Sequence, residues 1–588
     1  MYVFHKHTKE ELWAEMKIVL QILKKYRKEC ILAPLFKMLE AIFELLVPLV
    51  VADIIDNGIG FSDKPYIIKM VLVLVLLAAV GLVASITAQY FAAKAAVKTA
   101  TSLRSKLFRH IQSLSFTELD KVGTSTLITR MTSDINQVQN GINLMLRLFL
   151  RSPFIVFGAM IMAFTIDIKS ALIFVITIPA LSFVVFGIMK ITRPLYKGVQ
   201  ASLDKVLGVT KENLSGIRVI RAFNNEKKEE EEFYSANNKL TAIQVLVGKI
   251  SALMNPLTYA IINVSIILLI WTGAIRVNIG ELSQGQVIAL YNYMSQILIE
   301  LIKLANLIVS VTKAVACANR LKDVFEVNSS MAEGTRDKFN QDSEYEVEFN
   351  NVSFKYATSG ADVLTDINFK VKKGETIGII GGTGCGKSTL VNLIPRFYDV
   401  TSGEILINGV NVNEYTFDAI KKKVSVVFQK TQLFKGSIKT NLLLADKNAS
   451  DEVINKALEI SQSKEFVEKK EGKLDFEVVQ MGKNLSGGQK QRLTIARALV
   501  KQSDILILDD SASALDYLTD SKLRKAILEM ENSPTVFIVS QRTASIMHSD
   551  KIIVLEDGKI ASIGTHEELL KNCDVYKEIY DSQFKKEA

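Results

Sequence analysis

Apolar residues follow two different rhythms along the chain. Between residues 31 and 311 they gather into six predominantly apolar runs, each near the ~20 residues that a helix needs to cross a bilayer. The runs are Ile31–Ile55, Ile67–Tyr90, Ile142–Ile166, Ala171–Met189, Ile250–Ala274 and Val287–Val311. Ahead of them, Glu11–Leu23 has apolar residues at helical spacing and basic residues after it. That pattern fits a helix lying in the membrane interface, and equally an ordinary surface helix. From Tyr345 onward, short β-type runs alternate with helical ones, as in an α/β domain. The stretch Phe325–Asp342 is polar and lacks periodicity, so it predicts a linker. The expected division is a six-span transmembrane domain over 1–325, a linker over 326–342 and an α/β domain over 343–588.

An even number of spans leaves both termini on one side. The long loops Lys94–Asn140 and Lys190–Lys249 are rich in Lys and Arg, whereas the short loops between spans are not, which puts the long loops in the cytoplasm. They are too long and too helical in pattern to be simple connections. Helices continuing out of the membrane are expected, reversing near Phe116–Asp120 and near Gly208–Asn213. The charged run Glu226–Glu232 reads as a solvated helix face.

Charge inside the spans narrows the picture. Lys37, Glu40 and Glu44 share one face of the first span, Arg147 and Arg151 share a face near the start of the third, and Glu300 and Lys303 sit in the sixth. Charge in lipid costs a few kcal/mol or more, so such residues face a cavity or an opposite charge. A polar substrate path and interhelical salt bridges are both open, with Glu44 read toward a cavity and the arginines toward salt bridges. The spans show no aromatic cage or dense charge cluster that would name a ligand.

Composition agrees with a membrane protein. The 588 residues are 49% hydrophobic with only 9 prolines, and the mean hydropathy is +0.22. The net charge of +9 is assigned to cytoplasmic loops and not to a nucleic-acid partner. Cys30, Cys317, Cys385 and Cys573 are scattered and form no CxxC pair, so neither a disulfide framework nor a zinc site is expected. Met1–Lys28 lacks the short apolar core and small-residue cleavage site of a signal peptide.

The chemistry lies in the second half. Gly381-Gly382-Thr383-Gly384-Cys385-Gly386-Lys387-Ser388-Thr389 follows the apolar run Thr376–Ile380 and precedes a helical stretch. That is the strand, glycine loop and helix of a phosphate-binding loop. Glycines let backbone N–H groups turn around phosphate oxygens, Lys387 can reach the β/γ-phosphates, and Ser388 can ligate Mg²⁺. Asp509 ends the buried-type run Ile505–Asp509 and is the expected Mg²⁺-side carboxylate. Gln429, after Val424–Phe428, is placed to sense metal and γ-phosphate. Leu485-Ser486-Gly487-Gly488-Gln489 opens a helix whose N-terminus presents N–H groups and a serine to an anion. Tyr356 can stack on adenine or serve as a strand aromatic.

These motifs together resemble the ABC transporters, specifically exporter-type half-transporters, over essentially the whole chain. The resemblance implies ATP and Mg²⁺ as cofactors and Gln429 as the Q-loop glutamine. It also implies Tyr356 as the adenine-stacking aromatic and Ser513–Asp516 as the D-loop, with Ser513 and Asp516 at the site. The two cytoplasmic turns would be coupling helices. Two ATP-binding domains would pair head to tail, each ATP lying between one chain's phosphate loop and the other chain's LSGGQ.

Two departures stand out. The position after Asp509, usually glutamate in the family, is Asp510, and the switch histidine is replaced by Gln541. A carboxylate shortened by one methylene sits about 1 Å further from the attacking water, enough to cost about a hundredfold. Glutamine donates a hydrogen bond but carries no proton or positive charge as histidine can. The chain is therefore similar to the degenerate-site subunit of heterodimeric bacterial multidrug exporters. Its intact LSGGQ would complete the fast site of a partner half-transporter. The alternatives are a homodimer using Asp510 as base, or a regulatory membrane ATPase without transport. A bacterial plasma-membrane location with cytoplasmic termini is expected, and the substrate class stays at amphipathic drugs, lipids or peptides.

Overall fold

The computed structural model describes residues 17–357, 359–511 and 515–584. They form two compact units, Met1–Gln112 with Ser125–Glu326, and Ser113–Thr124 with Val327–Ala588.

The first unit is helical throughout its described residues. A short helix, Lys17–Leu23, leads into Arg27–Asp53, so the described part of the expected interfacial stretch is helical. Five helices are long and apolar enough to cross a membrane: Lys64–Ser113, Thr124–Ile166, Ile168–Ala222, Glu226–Asn278 and Gln284–Glu326. Arg27–Asp53, which holds the expected first run, has 27 residues but carries Lys37, Glu40 and Glu44 within its apolar stretch. At 1.5 Å per residue a 50-residue helix is ~75 Å long, far beyond the ~30 Å hydrocarbon core. The long helices therefore continue well outside any bilayer.

One expected reversal is displaced. Gly208–Asn213 lies inside the unbroken 55-residue helix Ile168–Ala222. The chain turns instead at Phe223–Asn225, where Asn224 takes a left-handed φ of 52°. Asparagine tolerates that conformation, whereas a lone glycine within a long helix costs only about 1 kcal/mol and does not end it.

The second unit is α/β. Strands β1 (Tyr345–Phe354), β2 (Leu364–Lys372), β4 (Ser402–Ile407) and β5 (Val410–Asn411) form an antiparallel sheet in the order β2-β1-β4-β5. A second sheet has the order β12-β11-β3-β10-β9-β6. Its members are β3 (Thr376–Gly381), β6 (Val424–Val427), β9 (Ile505–Asp509), β10 (Thr535–Val539), β11 (Lys551–Glu556) and β12 (Lys559–Gly564), while β7 (Gly436–Ser437) and β8 (Glu477–Val478) pair separately. The neighbours from β11 through β6 are all parallel, and only β12 runs antiparallel. Strands β3, β9 and β10 are buried along their whole length, as expected for a parallel sheet covered on both faces. Two apolar clusters supply that cover. One gathers Leu493, Ile495, Leu506, Ile538 and Tyr576, the other Val347, Phe349, Leu390, Ile507 and Phe537.

This topology builds the site. In a parallel sheet the carboxyl ends of neighbouring strands point the same way, and ligands bind in the crevice outside them. Here Val539 pairs with both Ile379 and Asp509, and Val427 pairs with Leu508. The segments after β3, β6, β9 and β10 therefore emerge side by side. They are the glycine loop, Gln429, Asp510 and Gln541.

Candidate nucleotide site

The loop after β3 needs its glycines. Gly381, Gly384 and Gly386 have φ of 155°, 87° and 98°. A Cβ on Gly381 would lie 2.1 Å from the Leu555 carbonyl oxygen, and one on Gly386 would lie 2.7 Å from Leu364 Cδ2. On Gly382 or Gly384 a Cβ would meet nothing within 4 Å. The loop is thus pinned on its outer side and open inside. Lys387 begins the helix Lys387–Leu393 and folds back over the loop, its Nζ donating to the carbonyls of Gly381 (2.9 Å) and Gly382 (2.6 Å). Cys385 is buried with its Sγ 3.7 Å from the same ammonium.

Ser388 Oγ donates to Asp509 Oδ1 at 2.8 Å, which brings together a hydroxyl and a carboxylate from sequence positions 121 apart. Burial raises the Asp509 carboxyl above its ordinary range, and the negative charge of Asp510 adds to that, against the Ser388 hydrogen bond and the Lys387 charge. A buried acid strained toward its neutral form beside a hydroxyl is an oxygen donor set suited to a small hard cation, whose charge would reverse the shift. Gln429 Nε2 donates to Asp510 Oδ2 at 3.2 Å. Asp510 itself holds φ 46° and donates its N–H to Val539 O, so backbone and side chain are both fixed.

A cavity of about 210 Å³ joins these groups. It is lined by Thr383, Gly384, Gly386, Lys387, Ser388 and Thr389, by Gln429, Asp509 and Asp510, and by Gln541. The open loop interior, the lysine and the oxygen pair fit a nucleotide's phosphates with a divalent cation. Val363, Val539 and Ser540 also line it and were not singled out from sequence. Ser540 carries a usable signal, since it directly follows the strand that delivers Gln541. Tyr356 lies just beyond β1, its hydroxyl 3.1 Å from Thr389 Oγ1. Its ring meets Tyr398 edge-on at 5.2 Å between centroids. Tyr398, unmarked in the sequence, donates in turn to Asp120 Oδ2 (2.8 Å), and Phe116 packs on Phe397 with centroids 4.9 Å apart. The helix Phe116–Val122 is thereby docked beside the aromatic that flanks the cavity.

The remaining expected residues lie elsewhere. Ser486 caps the helix Gly487–Val500, accepting from the N–H of Gln489 while Gln489 Oε1 accepts from the N–H of Ser486. No residue of Leu485–Gln489 lines the cavity. Asp516 caps Tyr517–Leu528 through the Thr519 N–H and is likewise absent from the lining. Ser513 lies outside the described residues.

The membrane unit corrects the expectation of no dense charge cluster. Arg151 donates to Glu300 (2.7 Å) and Glu44 (2.6 Å) and lies 4.0 Å from Glu40, Lys37 pairs with Glu40 (2.5 Å), and Lys303 pairs with Glu300 (2.8 Å). Ser152 adds a hydrogen bond to Glu300 at 2.8 Å. The sequence hid this cluster because its partners are 107 and 149 residues apart.

Comparison with known proteins accounts for nearly the whole chain. Residues 30–301 match the family described as ABC transporter transmembrane region, and residues 364–513 match the ABC transporter family. An ABC transporter ATP-binding protein of Bacillus subtilis (strain 168), YfiB, is 35% identical over 575 residues, covering 97% of this chain and 99% of the relative. The ATP-dependent lipid A-core flippase of Escherichia coli (strain K12) is 27% identical over 98% of this chain and 100% of its own length. A solved bacterial Atm1-family ABC exporter with ATP bound shares the fold, with a TM-score of 0.78 at 22% identity over 96% of this chain and 99% of that one.

Proposed function

Since the chain belongs to the ABC transporter family, as an exporter half-transporter with fused membrane and ATP-binding domains, we propose that it drives export of a hydrophobic or amphipathic substrate as one half of a heterodimer. In this reading the ATP site on its own glycine loop is slow, and its Leu485–Gln489 completes the partner's fast site. One observation carries the reading: Asp510 and Gln541 both line the glycine-loop cavity, while LSGGQ does not. A single chain therefore holds two unequal half-sites.

The residues act as follows. Lys387 exchanges its two loop carbonyls for phosphate oxygens, and Ser388 with Asp509 would hold Mg²⁺, which would neutralise charge on the phosphates. Gln429 keeps the Asp510 carboxylate in place at the position of the general base, but one methylene short. Gln541 offers a neutral donor to the terminal phosphate. Tyr356 stacks on adenine, and Asp516 sits at the domain pairing. Closure of the paired domains moves Phe116–Val122 and the Phe223–Asn225 turn and switches the spans between inward and outward access.

We take Arg27–Asp53 as a first span, making six with the five apolar ones. Its length is sufficient, and Lys37, Glu40 and Glu44 all have partners inside the membrane unit. Six spans with basic loops on the Phe116 side support a cytoplasmic position for both termini and the ATP-binding domain. The working division remains residues 1–325, 326–342 and 343–588.

The test is ATPase activity of the purified chain alone and of the chain with its co-expressed partner half-transporter. Low activity alone and high activity in the pair is expected, abolished by Ser486→Ala and only modestly reduced by Asp510→Ala. High activity from the chain alone, lost on Asp510→Ala, would replace this reading with a homodimer using Asp510 as base.

A further inference from the structure

The first unit contains a half-open pocket of about 380 Å³ lined by none of the nucleotide-site residues, within the size range of ligand sites. Its wall is apolar: Leu20 and Leu23 from the short N-terminal helix, Ile142 and Leu146 from Ile135–Leu148, and Val311 from Gln284–Glu326. Lys24 and Arg27 complete the lining with the apolar stems of their side chains. They belong to the run Lys24-Lys-Tyr-Arg-Lys28, whose four cations are all exposed and have no ion-pair partner among the described residues. The neighbouring acid, Glu29, is taken by Lys94 at 3.4 Å. Tyr26 holds the run in shape, its hydroxyl 3.1 Å from Ser102 Oγ and its ring under Lys98 Nζ at 5.6 Å.

An apolar slot bordered by two cationic residues is complementary to one class of molecule. We propose that it binds an anionic phospholipid of the cytoplasmic leaflet, with an acyl chain between Leu23, Leu146 and Val311 and the headgroup phosphate on Lys24 and Arg27. Basic pockets between helices on that side are known to select anionic headgroups. The placement in the inner leaflet rests on the orientation proposed above; the pocket and its two cations do not.

The test uses the full-length protein in nanodiscs with photoactivatable phosphatidylglycerol carrying its reactive group on the acyl chain. Labelling is expected on Leu20–Ile31 and around Val311, competed by phosphatidylglycerol and not by phosphatidylcholine. Each basic residue at an anionic headgroup contributes about fivefold, so Lys24→Gln with Arg27→Gln should weaken competition about 25-fold. Val311→Trp should abolish labelling by filling the slot. Equal labelling by both lipids, indifference to the glutamine pair, or a crosslink from a photoreactive residue at Leu23 to residues 1–16 or to the partner chain would each overturn the proposal. Reaction of Lys25→Cys with an impermeant thiol reagent in inverted, but not right-side-out, vesicles checks the orientation separately.

Discussion

Arg151 offers the sharpest separation of a structural from a substrate-binding role in the membrane unit. Three cations, Lys37, Arg151 and Lys303, face three acids, Glu40, Glu44 and Glu300, in one connected cluster. The Arg151 and Glu300 side chains are only 7% and 3% exposed. Replacing Arg151 by Met keeps the bulk but leaves an unbalanced buried negative charge. Breaking a buried pair this way costs about 3–5 kcal/mol. Glu300 keeps Lys303 and Ser152, both at 2.8 Å, so the lower end, about 3 kcal/mol, applies. Glu300→Gln keeps shape and hydrogen bonds and leaves Arg151 with Glu44, which should cost about 2 kcal/mol.

The double variant Arg151→Met with Glu300→Gln restores the balance of charge. It should recover at least ~1.5 kcal/mol relative to the sum of the single costs. The assay is heat-induced unfolding in nanodiscs, where the arginine variant should lose about 5–10 °C, alongside ATP-driven uptake into inverted vesicles. Costs that simply add would refute the paired-cluster reasoning. So would an arginine variant of undiminished stability that no longer transports, since Arg151 would then be serving the substrate and not the fold.

Three further outcomes are expected. Tyr398→Phe deletes a hydrogen bond to the Asp120 carboxylate, worth about 1.5–3 kcal/mol, while keeping the ring against Tyr356. ATP affinity should stay within a few fold and substrate-stimulated ATPase should fall, and an unchanged stimulation would remove Tyr398 from the coupling path. Asp510→Glu with Gln541→His should raise turnover at this chain's site by up to about a hundredfold, measured in the proposed heterodimer with the second chain's site disabled; no gain would mean that these two residues do not limit it. Burial lowers the Lys501 ammonium to about 8, with its Nζ donating to Val424 O at 2.8 Å. The unfolded chain then holds more protons than the folded one between pH 8 and the ordinary lysine value, so this group makes stability rise with pH across that window and adds no slope below it. Lys501→Met should flatten that rise in unfolding measurements on the full chain.

What could be read from the sequence was what depends on near neighbours. The glycine loop, Gln429, Asp509, Asp510 and Gln541 each sit at a strand end, so a local pattern located them, and the parallel sheet then assembled them. The second reversal was misplaced because a glycine looks like a helix breaker in sequence, whereas Asn224 takes the left-handed turn. The charge cluster was invisible for a different reason. Each of its residues was noticed alone, but only packing tells Arg151 which of the carboxylates across the unit it meets. The pocket behind Lys24 and Arg27 joins segments about 290 residues apart in sequence and was unreadable on the same grounds.

The docking of Phe116–Val122 shows why such long-range pairs carry function. Its contacts include two aromatic packings and a hydrogen bond on the pair Phe397–Tyr398, and Glu118 is hydrogen-bonded to Ser330. Apolar contact tolerates sliding, because it is non-directional. The Tyr398–Asp120 bond does not, since hydrogen bonds weaken steeply off axis. Tyr398 also touches Tyr356, so a base stacked on Tyr356 fixes the ring to which Asp120 is tied. Nucleotide binding can thereby set the direction of Phe116–Val122 without changing how much surface it buries. A Tyr398→Phe chain should bind ATP and keep Phe116–Val122 in place, yet lose the dependence of that helix's orientation on nucleotide, as read by spin-label distances from Lys121→Cys with and without ATP. Equal distance changes in the two proteins would sink this account.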